Sequence, residues 1–128
     1  MNRKRILVVD DEEAFTRGVK ANLKTLYNVR VENKGSRVCD IVKEFRPDLI
    51  LLDVMMPDMD GCQVAHELKD CPICQDIPIV YITALVAKRK AGDGHKTKVN
   101  DYPCLAKPVS LEDLLACIKA NVKSDSKK

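Results

Sequence analysis

No apolar run in this sequence approaches the roughly 18 residues that a membrane-crossing helix requires. The longest runs, such as Ile6 to Val9 and Leu49 to Leu52, are strand-sized. The start is not expected to act as a signal peptide either, because the basic Met1 to Arg5 meets Asp10-Asp11-Glu12-Glu13 after four apolar residues. Neither sign of charge dominates: 22 Lys and Arg against 19 Asp and Glu leave a formal net charge of +3. The basic excess lies in Lys88 to Lys98 and at the C-terminus, not over a face, which argues against direct nucleic-acid binding and against a membrane surface. An apolar fraction of 45% with so small a net charge excludes disorder. Without a leader, Cys39, Cys62, Cys71, Cys74, Cys104 and Cys117 read as reduced thiols, not as a disulfide framework.

What remains is a cytoplasmic globular chain. Its 128 residues suit one domain that buries about two-thirds of its unfolded surface without a metal or disulfide staple. The expected core runs from about residue 4 to 122, and 123–128 form a polar tail. With so little chain after Val122, a stand-alone domain without an effector domain is expected.

Strand and helix patterns alternate. Ile6 to Val9, Leu49 to Leu52 and Ile77 to Ile82 are continuous apolar runs, as strands covered on both faces require. Asn28 to Glu32 alternates, and Tyr102 to Leu105 reads as a short strand placed at an edge by Pro103. Helical spacing covers about Glu12 to Leu26 through Phe15, Val19, Leu23 and Leu26. Ser36 reads as the cap of a helix carrying Val38, Ile41, Val42 and Phe45, which Pro47 stops. A third helix holds Val64, Ala65 and Leu68, a fourth starts at Ala84, and Ser110 caps the last. Five strands and five helices predict a doubly wound α/β fold with a parallel, flavodoxin-like sheet in the order 2-1-3-4-5.

In such a fold the crevice lies beyond the carboxyl ends of the strands. Those ends carry Asp10-Asp11, Asp53, Thr83 and Lys107-Pro108. Three clustered carboxylates repel one another unless a cation neutralises them, and an all-oxygen donor set suits Mg²⁺. A hydroxyl and an ammonium beside the metal suit the oxygens of a transferred phosphoryl group. Taken alone, Asp10-Asp11 would simply cap the following helix.

Asp10-Asp11, the stretch Leu51-Leu52-Asp53-Val54-Met55-Met56-Pro57-Asp58-Met59-Asp60-Gly61, Thr83-Ala84 and Lys107-Pro108 together resemble the receiver (CheY-like) domain of two-component response regulators. The resemblance spans about Lys4 to Val122. It implies that Asp53 is the phosphoacceptor, becoming an aspartyl phosphate at the expense of a phosphohistidine. It implies that Asp11, Asp53 and the backbone carbonyl of Met55 bind Mg²⁺, with Asp10 acting nearby through water. Lys107 would contact a phosphoryl oxygen after a cis Lys107-Pro108 bond, and Thr83 would swing onto another. The implied partners are a histidine kinase or a histidine phosphotransfer protein and an unidentified downstream protein. Where the family carries an aromatic switch residue, this chain has Cys104, with Tyr102 two positions earlier. Gly92-Asp93-Gly94-His95 makes the preceding segment atypical. The two positions that hold the hydrolytic water in receivers are here Met55 and Leu85, which implies a long-lived phosphorylated form.

Three other readings are weaker. A phosphate-independent interaction module leaves Asp11, Asp53, Thr83 and Lys107 without purpose. A Mg²⁺-dependent aspartyl-phosphate phosphatase would carry a second Asp where Met55 stands. A dinucleotide binder would have glycines, not acids, after the first strand. Cys71-Pro72-Ile73-Cys74 has CxxC spacing but no second pair and no thioredoxin-like position, and reads as an incidental loop. His66 and His95 have no ligand spacing. Met55, Met56 and Met59 read as loop packing, Met55 alone lying beside the expected phosphate.

Overall fold

The computed structural model describes residues 3–57, 60–83, 98–99, 102–107 and 109–122, with the backbone alone at residues 83, 98, 99 and 102. In chain order the elements are β1 (Arg5–Val9), α1 (Glu13–Leu23), β2 (Asn28–Glu32), a 3₁₀ turn (Gly35–Arg37), α2 (Val38–Phe45) and β3 (Leu49–Asp53). There follow α3 (Gly61–Lys69), β4 (Ile79–Thr83), β5 (Lys98–Val99), β6 (Tyr102–Ala106) and α4 (Leu111–Asn121). The sheet runs β2-β1-β3-β4-β6-β5. Its first five members are parallel, in the 2-1-3-4-5 order the sequence predicts, and the two-residue β5 adds an antiparallel margin. Four α-helices stand among the described residues; the helix expected from Ala84 lies outside them.

β1, β3 and β4 each serve two cores. Leu7, Val9, Ile50, Leu52, Ile79 and Tyr81 pack on one face with α2 and α3. Ile6, Val8, Leu49, Leu51, Val80 and Ile82 pack on the other with α1 and α4. A strand sandwiched in this way has no polar face to show, and this is why its sequence is apolar without alternation.

Four local expectations need correction. α1 ends at Leu23, so Leu26 is exposed in the turn beyond instead of continuing the helical stripe. Ser36 sits within the 3₁₀ turn, and α2 starts only at Val38 with Arg37 in the cap position. β4 runs Ile79–Thr83, so Ile77 belongs to the preceding turn. Pro103 does not mark an edge, because β6 lies between β4 and β5. Its missing N–H is tolerated because the ladder to β4 starts one residue later, at Cys104. Ser110 does cap α4, its hydroxyl accepting the N–H of Asp113 at 3.0 Å.

Candidate functional site

Strand register assembles the site before any side chain is considered. Val9 pairs with Leu52, so the next residues along, Asp10 and Asp53, are neighbours at the carboxyl edge. Asp53 pairs with Ile82, and Thr83 with Ala106, which delivers Lys107 to the same edge. Carboxylate oxygens of Asp10, Asp11 and Asp53 lie within 4.8 Å of one another. Asp10 and Asp53 are only 1% and 4% exposed, and Asp11 faces solvent more than either.

Asp10 is held from several sides. Its Oδ1 accepts the N–H of Glu12 at 2.9 Å, and its backbone N–H donates to the Glu32 carbonyl at 3.1 Å. The Asn33 side-chain amide donates to the Asp10 carbonyl at 2.7 Å and to the Thr16 hydroxyl at 3.1 Å. Lys107 Nζ stands 2.6 Å from Asp10 Oδ2 and 3.0 Å from Glu12 Oε1, and lies 4.6 Å from the centre of the Phe15 ring. Burial works against the Lys107 charge, yet the hydrogen bonds to Asp10 and Glu12 and the field of Asp53 leave its pKa raised.

Asp53 is buried beside the negative charge of Asp10. Burial and then the negative charge of Asp10 push its pKa up to about 7, with Asp11 adding to the rise. The Lys107 charge and the Met55 backbone N–H, 3.3 Å from Asp53 Oδ1, oppose the shift without cancelling it. Three convergent carboxylates with one ammonium between them form a donor set short of positive charge. A hard, oxygen-seeking divalent cation of the Mg²⁺ type fits that deficit.

The loop after β3 is set by Asp60 and Gly61. Asp60 Oδ1 accepts the Cys62 N–H at 2.8 Å and caps α3. A Cβ on Gly61 would fall 2.2 Å from the Asp53 carbonyl oxygen and 2.7 Å from Val54 Cα, so only glycine lets the helix start against the strand end. Val54, Met55, Met56, Pro57 and Asp60 line an open cleft of about 480 Å³ beside the carboxylates. Met55 is 58% exposed there, whereas Met56 is buried in the core.

The structure thus brings Asp10, Asp11, Asp53 and Lys107 together, with the Met55 backbone beside them. Thr83 ends β4 in register, but its side chain lies outside what is described, as do the Tyr102 side chain, Pro108 with its peptide-bond isomer, Leu85, Met59 and the 92–95 segment. Cys104 pairs with the fully buried Tyr81 across the ladder and packs against the α2–α3 core. Sequence reasoning missed Glu12 and Phe15 as companions of Lys107, and Asn33 and Thr16 as braces of Asp10. Only Gly61 carried a signal, as a glycine at the expected start of a helix.

Residues 6–119 match the family model of the response regulator receiver domain. Response regulator MprA of Mycobacterium sp. (strain KMS) is 36% identical over 123 residues, covering 95% of this chain and 52% of that protein. Response regulator MprA of Mycobacterium leprae (strain TN) is 38% identical over 117 residues, covering 91% and 50%. The chain therefore spans about half the length of these relatives. Among solved structures, the chemotaxis protein CheY4 of Vibrio cholerae superimposes with a TM-score of 0.77 at 25% identity, covering 92% of this chain and 98% of that one. Among the described residues, no helix is long and apolar enough to cross a membrane.

Proposed function

The chain belongs to the response regulator receiver domains of two-component signalling systems, and we propose that Asp53 is its phosphoacceptor. One observation carries this assignment. Asp53 ends the central strand as a buried carboxyl whose pKa of about 7 reflects burial and the charge of Asp10, with the Lys107 ammonium on the same edge.

In the proposed step, an ionised Asp53 oxygen attacks the phosphorus of a phosphohistidine on a histidine kinase or phosphotransfer protein. The P–N bond breaks, the imidazole leaves with the electron pair and takes up a proton, and Asp53 becomes an acyl phosphate. Asp11, Asp53 and the Met55 carbonyl would hold a Mg²⁺ ion, with Asp10 acting through water, and the ion would supply positive charge against the phosphoryl oxygens. Lys107 gives up its contact with the exposed Glu12 and keeps Asp10 while turning to a phosphoryl oxygen. Thr83 supplies a hydroxyl to another oxygen and reports the new charge to the region around Cys104 and Tyr102, where a downstream protein reads it. The chemistry is confined to the domain's own Asp53, so the chain acts as a signalling element of the cytoplasm and not as an enzyme with a released product. Residues 1–128 form one receiver unit.

The test is incubation with acetyl phosphate and Mg²⁺ followed by intact-mass measurement. One phosphoryl adduct is expected, absent after chelation and absent in Asp53→Asn. An adduct that persists in Asp53→Asn overturns the assignment.

A further inference from the structure

The segment Cys71-Pro72-Ile73-Cys74 takes no part in the carboxylate site. It forms the turn that leads from α3 to β4. The Cys71 carbonyl accepts the N–H groups of Cys74 and Gln75, each at 2.9 Å. The Cys71 N–H donates to the Leu68 carbonyl at 3.2 Å, and the Ile77 N–H to the Cys74 carbonyl at 3.0 Å. A turn closed from i to i+3 holds its end Cα atoms less than about 7 Å apart. A disulfide requires about 4.4–6.8 Å. The backbone is therefore already folded to the span a disulfide needs. Both cysteines are free.

The two thiols are unequal in a useful way. Cys74 is 1% exposed and packs in the core cluster with Leu68, Ile77 and Tyr81. Burial, and then the neighbouring Cys71, push its pKa up to about 11 and keep it protonated. Cys71 is half-buried, packed against the rim of that core. The Cys74 thiol chiefly, then the Ile73 and Cys74 backbone N–H groups and Lys43, draw its pKa down. Cys39 and Cys117 stand as contrasts, since burial pushes both thiols up and Glu67 raises Cys39 further.

We propose that Cys71 is a peroxide-reactive thiol and Cys74 its resolving partner, so that oxidation closes a disulfide across the α3–β4 turn. The Cys71 thiolate attacks one oxygen of hydrogen peroxide and the O–O bond breaks. The departing hydroxide takes the proton that Cys71 released and leaves as water. Cys71 is now a sulfenic acid. The Cys74 sulfur attacks the Cys71 sulfur, the S–O bond breaks, and the hydroxyl departs with the Cys74 proton as a second water. Two thiols are oxidised and one peroxide is reduced. A thiol reductant reverses the change.

Two measurements on the full chain test this. In the reduced protein at pH 7, iodoacetamide should alkylate Cys71 about 10-fold faster than Cys39 or Cys117. After brief treatment with a few equivalents of hydrogen peroxide, the intact mass should fall by two hydrogens, and once the remaining thiols are blocked, peptide mapping should find Cys71 and Cys74 as the unblocked pair. Cys74→Ala should stop at a Cys71 sulfenic acid that dimedone traps, and Cys71→Ser should form no disulfide. Equal alkylation rates in the wild type, oxidation that joins Cys71 to Cys39, or disulfide formation only between chains would each overturn the proposal. The alkylation rates need no variant, so a folding defect in either substitution leaves the test intact.

Discussion

Asp48 and Asp53 bracket the same strand and lead opposite lives. At the amino end of β3, Asp48 Oδ2 accepts the Arg5 N–H at 2.8 Å, and the Asp48 N–H returns a bond to the Arg5 carbonyl at 2.7 Å. Arg3, Arg5, Lys20 and Lys24 line a cleft at the neighbouring ends of β1 and β2, and the Arg5 side chain donates to the Arg46 carbonyl at 2.9 Å. At the carboxyl end, Asp53 meets two further carboxylates and shares one ammonium with them. The sheet therefore has an end where a carboxylate closes the backbone's hydrogen bonds and an end where carboxylates are left short of charge. Stability is gathered at the first, and reactivity is gathered at the second.

The sharpest way to probe the reactive end is to give it a water-holding group. Met55→Asn combined with Leu85→Glu should shorten the lifetime of phosphorylated protein on the order of 10²-fold. Decay followed by mass spectrometry after removal of the phosphodonor measures this, and an unchanged half-life in the double variant would show that something else sets the rate.

The next effect separates the two carboxyls by pH. The Asp53 pKa of about 7 stands above its unfolded value of 3.8, so its ionisation costs stability. That cost is absent below about pH 4, grows as pH rises, and is complete above about pH 7. Discounted for the solvent access of the cluster, Asp53→Asn should stabilise the metal-free protein by about 2 kcal/mol at pH 8 and by nothing at pH 4. Urea unfolding at the two pH values checks it, and Mg²⁺ should stabilise the wild type more than the variant. Asp48→Ala should act in the opposite sense and destabilise by about 1–2 kcal/mol, because the Arg5 N–H loses its acceptor. If both variants shifted stability in the same direction, the contrast between the two ends would collapse.

The smallest effect belongs to the amino end. Arg46 holds a φ of 53° as it leaves α2. Glycine there should stabilise by about 0.5 kcal/mol, since the backbone carbonyl that receives Arg5 is kept while the left-handed strain is relieved. Thermal unfolding resolves a shift of that size.

How much of this the sequence discloses depends on the range of the interaction involved. The strand order and the meeting of Asp10, Asp53 and Lys107 were readable because apolar runs mark strands and parallel strands end at one edge. Leu26, Ser36 and Pro103 depart from expectation because hydrogen bonds, not a helical stripe or a single capping or breaking residue, decide those boundaries. The partners of Lys107 were hidden for another reason. Glu12 stands in the cap position of α1 and Phe15 on the helix itself, far away along the chain, and no periodicity connects them to the segment after β6. Asn33 is likewise one polar residue after a strand until the fold sets its amide against the Asp10 carbonyl.

That amide gives the sheet a mechanical handedness. Asn33 and Glu32 rivet the end of β1 to β2 and, through Thr16, to the first turn of α1. Gly61 seats α3 directly on the Asp53 carbonyl. A bulky dianion on Asp53, as proposed above, would find the β1–β2 side an anvil, and the displacement would pass across the sheet into β4 and β6, the side on which Thr83, Cys104 and Lys107 are strung.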